Sequence, residues 1–178
     1  MGLTGSMGTY NRVGAATPRS SGGFTIYRPG HWAFSGTDLY YGDLLGGAPV
    51  CIATYEMDGL DFTFHKGLPY PTHADGAPEG LEILAMAPAV TGEEDRWRGS
   101  VPLLGPDYEF DEDLRALGED APEFLRGLRY GSGMVAAFSR GAGQVFNAGA
   151  CEWVRGLICR DCFTERITRN VLDRFTSA

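Results

Sequence analysis

Two carboxylates separated by one residue, Glu56 and Asp58, follow the apolar and β-branched run Val50 to Tyr55. Side chains alternate between faces along extended backbone, so Glu56 and Asp58 should share one face while Met57 takes the other. Read as a buried strand, Val50 to Tyr55 would bring the pair to the carboxyl edge of a sheet, where α/β folds gather their ligands. Partial burial would carry such a carboxyl toward neutrality. It could then take a proton from a metal-bound water or hand one to a leaving group. The plainer reading is a pair of strand-end carboxylates that cap a turn or meet an arginine.

Other reactive side chains carry weaker signals. Cys159-Arg160-Asp161-Cys162 is a C-x-x-C with Cys151 eight residues upstream, while His31, His65 and His73 lie elsewhere. A tetrahedral zinc site needs four ligands, and no second C-x-x-C or H-x-x-x-H is present to complete one. Ordinary reduced thiols are the direct reading, with redox sensing as the alternative. His65 and His73 fall in an aperiodic stretch and read as solvated loop histidines or as the mouth of a pocket. No serine stands in a G-x-S-x-G elbow, and no glycine-rich loop matches a phosphate- or dinucleotide-binding motif. Trp32, Phe34, Tyr40 and Tyr41 form an aromatic group suited to a ligand or to a domain interface.

The elements that must position these residues can be read in outline. Phe24 to Tyr27 and Leu81 to Ala87 read as strands, like Val50 to Tyr55, and Gly59 to Ala77 as a long surface loop. The acidic stretches Glu93 to Asp95 and Asp107 to Asp113 read as solvated loop, and Pro122 to Leu128 as one or two helical turns. Met134 to Phe138 and Gln144 to Phe146 flank the turn Arg140-Gly141-Ala142-Gly143 and predict a β-hairpin. Thr164 is a plausible N-cap for a last amphipathic helix carrying Ile167, Val171, Leu172 and Phe175. The expected organisation is an extended glycine-rich lead-in over 1–48 and a C-terminal α/β domain over 49–178.

Composition narrows the partners. Fifteen Lys and Arg against 23 Asp and Glu give a net charge of −8. That charge repels nucleic-acid phosphates and anionic lipid, so neither nucleic acid nor a membrane surface is expected as a partner. The apolar runs are too short to span a bilayer, and Met1 to Thr9 lacks the basic and apolar regions of a secretory signal, which makes cytoplasmic residence the default. Of the four cysteines, at 51, 151, 159 and 162, three crowd into twelve residues rather than spreading as a disulfide framework would.

Two blocks carry a family likeness. Gly131-Ser132-Gly133-Met134-Val135, then Arg140 through Gly149, Trp153 and Arg166 to Leu172, resemble the C-terminal end of the large (beta) subunit of N,N-dimethylformamidase and, more widely, the glutamine-amidotransferase-like α/β group. His31-Trp32-Ala33-Phe34, Gly36-Thr37, Tyr41-Gly42-Asp43 and Tyr55 to Gly59 are similar to the segment that leads to the family's Glu-x-Asp pair. The resemblance implies a class I glutamine-amidotransferase-like (flavodoxin-like), mostly parallel sheet flanked by helices and closed by the hairpin and last helix, here without its N-terminal half. It also implies hydrolysis of a small amide to an acid and an amine at a mononuclear iron held by tyrosines and a glutamate. The family's iron-binding part precedes the matched region, so no ligand is carried to a numbered residue here. The resemblance favours Glu56 as an acid/base carboxylate and implies an upstream part of the protein or a partner subunit, with a homo-oligomer as a further option. The alternative is a non-catalytic interaction domain of the same ancestry.

Overall fold

The computed structural model describes residues 2–3, 22–54, 57–90 and 130–177. Its centre is a pair of long antiparallel strands, β5 (Glu82–Val90) and β6 (Tyr130–Arg140), in register from Glu82↔Ala137 to Val90↔Tyr130. On one flank β5 pairs with β1 (Phe24–Ile26), which pairs with the two-residue β2 (Leu44–Leu45). On the other, β6 turns back into β7 (Gly143–Asn147), as the glycine turn predicts. The order β2-β1-β5-β6-β7 is antiparallel throughout.

That direction corrects the mostly parallel sheet that the resemblance implied, as far as the described strands go. Parallel neighbours need a crossover connection of a dozen or more residues, usually a helix. Here β6 and β7 are joined by Gly141 and Ala142 alone, which only an antiparallel pair allows. The secondary structure is still α/β. Strands β1 and β2 lie before residue 49 and pair into the same sheet as β5, β6 and β7.

Both faces of the sheet are covered. Val135 and Ala137 look to one face, which holds Phe24, Ile26, Phe34, Trp153 and Ile167; Met134, Ala136 and Phe138 look to the other, with Leu3, Leu60 and Leu81. Strict alternation would put Ile83 and Ala85 on the same side. They lie on opposite sides because the register shifts between them, a β-bulge that adds Leu84 to the strand. The Leu84 carbonyl accepts the N–H groups of Tyr27 and Arg28, so the bulge also fixes where β1 ends.

Two predicted elements take other forms. Residues 47–54 are not a strand: Val50 and Cys51 donate to the Gly47 carbonyl, Ile52 donates to that of Gly46, and Cys51 has φ 57. The run is apolar because this compact turn plugs the core, with Ile52 and Ala53 fully buried. The expected loop over 59–77 contains a hairpin, β3 (Phe62–His65) and β4 (Leu68–Pro71), that pairs only with itself. Its outer side chains are exposed, which erased the alternation a core strand would show. Arg28 ties this hairpin to the sheet: its guanidinium donates to the carbonyls of Ile83 and Pro69 and lies 4.8 Å over the Tyr70 ring. The helical turns expected over 122–128 and the acidic stretches at 93–95 and 107–113 lie outside the described residues.

The chain ends in α1 (Trp153–Ile158) and α2 (Cys162–Thr176). Asp161, not Thr164, is the N-cap of α2. Its carboxylate accepts from the Thr164 N–H at 2.8 Å and hydroxyl at 2.7 Å. Thr164 is fully buried against Gly156, so the helix begins earlier than its side-chain chemistry suggests. The Trp153 indole donates to Thr168, and the Asn170 amide donates to the carbonyls of Ala33 and Ser35, which fastens α2 to a single 3₁₀ turn at Trp32–Phe34. Asp161→Ala removes the cap and leaves the buried Thr164 hydroxyl without its acceptor. The expected loss is about 1–2 kcal/mol of unfolding free energy by urea titration; an unchanged midpoint would show that the cap is not needed.

Candidate active site

Asp58 is held by its backbone on two sides. Its N–H donates to the Gly149 carbonyl at 3.0 Å, and its carbonyl accepts the Met134 N–H at 2.8 Å. Met57 completes the contact through an antiparallel bridge to Ala150. Residues 57–58 thus take a place beside β6 just beyond Ala136↔Asn147, the last pairing β7 makes with that strand. Two glycines permit the approach. A Cβ on Gly133 would lie 2.6 Å from the Met57 sulfur, and Gly149, at φ 78, presses so closely on the Met134 carbonyl that any side chain would collide with it. The Asp58 side chain is half-buried, and no described residue hydrogen-bonds its carboxylate. Its backbone is thus fastened through main-chain bonds on both sides. Glu56 lies outside the described residues.

The other predicted residues do not gather around Asp58. His65 stands exposed near the β3–β4 turn with its ring 6.4 Å from Tyr70. The His73 Nδ1 meets the Ala77 carbonyl at 2.8 Å inside a local turn. Cys51 is buried, and Cys151, Cys159 and Cys162 are exposed. Cys159 closes α1 and Cys162 opens α2, so the C-x-x-C spans the turn between the helices. The aromatic group divides. Trp32 and Phe34 pack inward, Trp32 against Phe146 and Phe175, whereas Tyr40 and Tyr41 are 72% and 56% exposed. Tyr41 donates its hydroxyl to the Gly67 carbonyl at the hairpin turn.

Sequence reasoning passed over His31 as a structural centre. Its side chain is only 9% exposed, its Nδ1 accepts the Ala33 N–H at 3.3 Å, and its Nε2 lies 4.0 Å from the Glu82 carboxylate. The accepted bond requires a bare Nδ1 and therefore the neutral ring with its proton on Nε2. Beside it, Arg174 lies 4.5 Å over the Trp32 ring and donates to Gln144. A histidine preceding a short turn is a weak cap signal, and Glu82 and Arg174 are too distant in sequence to have pointed to it. Asn147 was missed as well, although asparagine two residues before a glycine is a readable turn signal.

Among the described residues no three His, Cys, Asp or Glu side chains come together to hold a metal. Nor, among them, is any helix long and apolar enough to cross a membrane. Fold and site together define an α/β domain whose antiparallel sheet, backed by two C-terminal helices, holds one carboxylate where β7 leaves β6. The chain belongs to the family described as N,N-dimethylformamidase beta subunit-like, C-terminal, whose model matches residues 2–165. No curated protein and no solved structure matches the chain.

The His31 site makes stability depend on pH. Burial lowers the His31 pKa from its ordinary 6.5; Glu82 opposes this, and Arg174 and Arg28 add to the lowering. The folded chain therefore favours the neutral ring. Its contribution is intact above the unfolded value and is lost as pH falls through that value toward the folded one. Between about pH 7.5 and about pH 5.5 the melting temperature should fall, and His31→Gln, which cannot titrate, should flatten part of that slope. Equal slopes in the two proteins would remove His31 as the cause.

Proposed function

We propose that this chain is the C-terminal portion of an amide hydrolase of the dimethylformamidase type, cleaving the C–N bond of a small amide to give an acid and an amine. Glu56 and Asp58 serve as its acid/base carboxylates. The remaining groups, including any iron ligands, come from an upstream part of the protein or a partner subunit, in the cytoplasm. Family membership supports the reaction class. The observation that carries the assignment to this segment is the two-sided backbone clamp on Asp58. In the reaction a carboxylate accepts a proton from the attacking water as its oxygen bonds to the amide carbon. The same proton passes to nitrogen as the C–N bond breaks, so water is consumed and the carboxylate is restored.

On the same reading the described sheet is the antiparallel edge of a larger glutamine-amidotransferase-like sheet. A second reading, a domain that binds a partner and does no chemistry, draws on the exposed apolar side chains of Ile158 and Leu172, 76% and 57% accessible on the two helices. The two readings part on one measurement. In the full-length protein, Glu56→Gln and Asp58→Asn should each lower kcat for amine release from small amides by roughly 100-fold or more. Full turnover in both variants would leave the interaction domain standing.

A further inference from the structure

We infer that Asn147 is a positioning residue for Asp58, acting through Gly149; this rests on the acid/base role proposed above. Three hydrogen bonds run in sequence. The Asn147 side-chain oxygen accepts the Gly149 N–H at 2.8 Å, the Gly149 carbonyl accepts the Asp58 N–H at 3.0 Å, and the Asp58 carbonyl accepts the Met134 N–H at 2.8 Å. Asn147 is also the last residue by which β7 pairs with β6, opposite Ala136. Its side chain therefore turns the chain away at the point where the sheet changes neighbour and residues 57–58 come in beside β6.

The turn works through a conformation that a side chain would resist. Gly149 sits at φ 78, a region that glycine enters freely and other residues seldom do. The freedom that permits this turn also makes it costly to hold, and the Asn147 side-chain oxygen Oδ1 supplies the local acceptor that holds it. Without that bond the Gly149 N–H loses its acceptor, and the Gly149 carbonyl is free to swing off the Asp58 N–H. The Met134 bond would remain and keep residue 58 near the sheet. The segment carrying the carboxylate would then lose one of the main-chain bonds that hold it against β6 and the turn after β7. Small displacements of a reacting group are expensive, because the rate depends on a near-attack geometry.

Amide hydrogen exchange and turnover test this separately. In this chain, Asn147→Ala should speed exchange at the Asp58 and Gly149 amides by on the order of tenfold relative to the other strand amides. In the full-length protein it should lower kcat for small-amide hydrolysis by on the order of tenfold with KM unchanged. Asn147→Asp keeps an oxygen acceptor at the same place and should restore protection at both amides. Should Asn147→Ala fail to fold, Asn147→Ser, whose hydroxyl makes the same turn bond more weakly, carries the test with the same readouts. Unchanged exchange at Asp58 in the variant overturns the positioning role, whatever the activity. Normal exchange losses together with full turnover in Asp58→Asn would overturn the proposed function and leave the coupling between Asn147 and Asp58 in place.

Discussion

The antiparallel pairing of β5 with β6 is the constraint on which the rest of the described structure depends. These two strands carry alternating side chains into both cores, and every other strand of the sheet is placed by reference to them. β1 joins at the bulge beside Leu84, β7 folds back along the second half of β6, and residues 57–58 occupy the space beside Met134 that β7 has vacated. Main-chain bonds anchor every strand of this frame, and β5 and β6 at its centre are buried on both faces.

The proposed site lies where this regularity stops. A strand that leaves its neighbour exposes main-chain groups that must find other partners, since a buried amide without one costs free energy comparable to a lost hydrogen bond. Here the partner is the backbone of Asp58. The same requirement that completes the sheet therefore fastens the backbone of the half-buried Asp58 beside β6, with glycine at 133 and 149 because the segments are too close for side chains. The helices contribute at a distance. Asn170 and Arg174 clasp the 3₁₀ turn and the Trp32 ring, and His31 caps that turn as a neutral ring, which makes this side of the molecule sensitive to acid.

Some of this is legible in the sequence alone. The β6–β7 hairpin announces itself by two short apolar runs around a glycine turn, and the last helix by apolar residues at helical spacing; both signals are local. The strand at Leu81 to Ala87 was readable as a continuous apolar run, although its bulge was not. Local signals also misled. Val50 to Tyr55 has a strand's composition, yet over 50–54 it folds as a turn, because burial of a compact plug and burial of a strand select the same apolar side chains. Thr164 has a cap's chemistry, but Asp161 stands three residues earlier with the stronger acceptor, and the threonine is spent on packing against Gly156.

By itself the sequence determined the family and the closing hairpin and helix, because these are properties of short segments and of their order; it put forward Glu56 and Asp58 only as candidates. Tertiary structure alone decided that the described strands run antiparallel, that residues 57–58 pair with β6 and with the turn after β7, and that Asn147 and His31 hold the turns that follow them. Those outcomes rest on contacts between residues far apart along the chain. A hydrogen bond between Asp58 and Gly149 leaves no periodicity in either segment, so only the folded chain, in which both are forced against Met134, can reveal it.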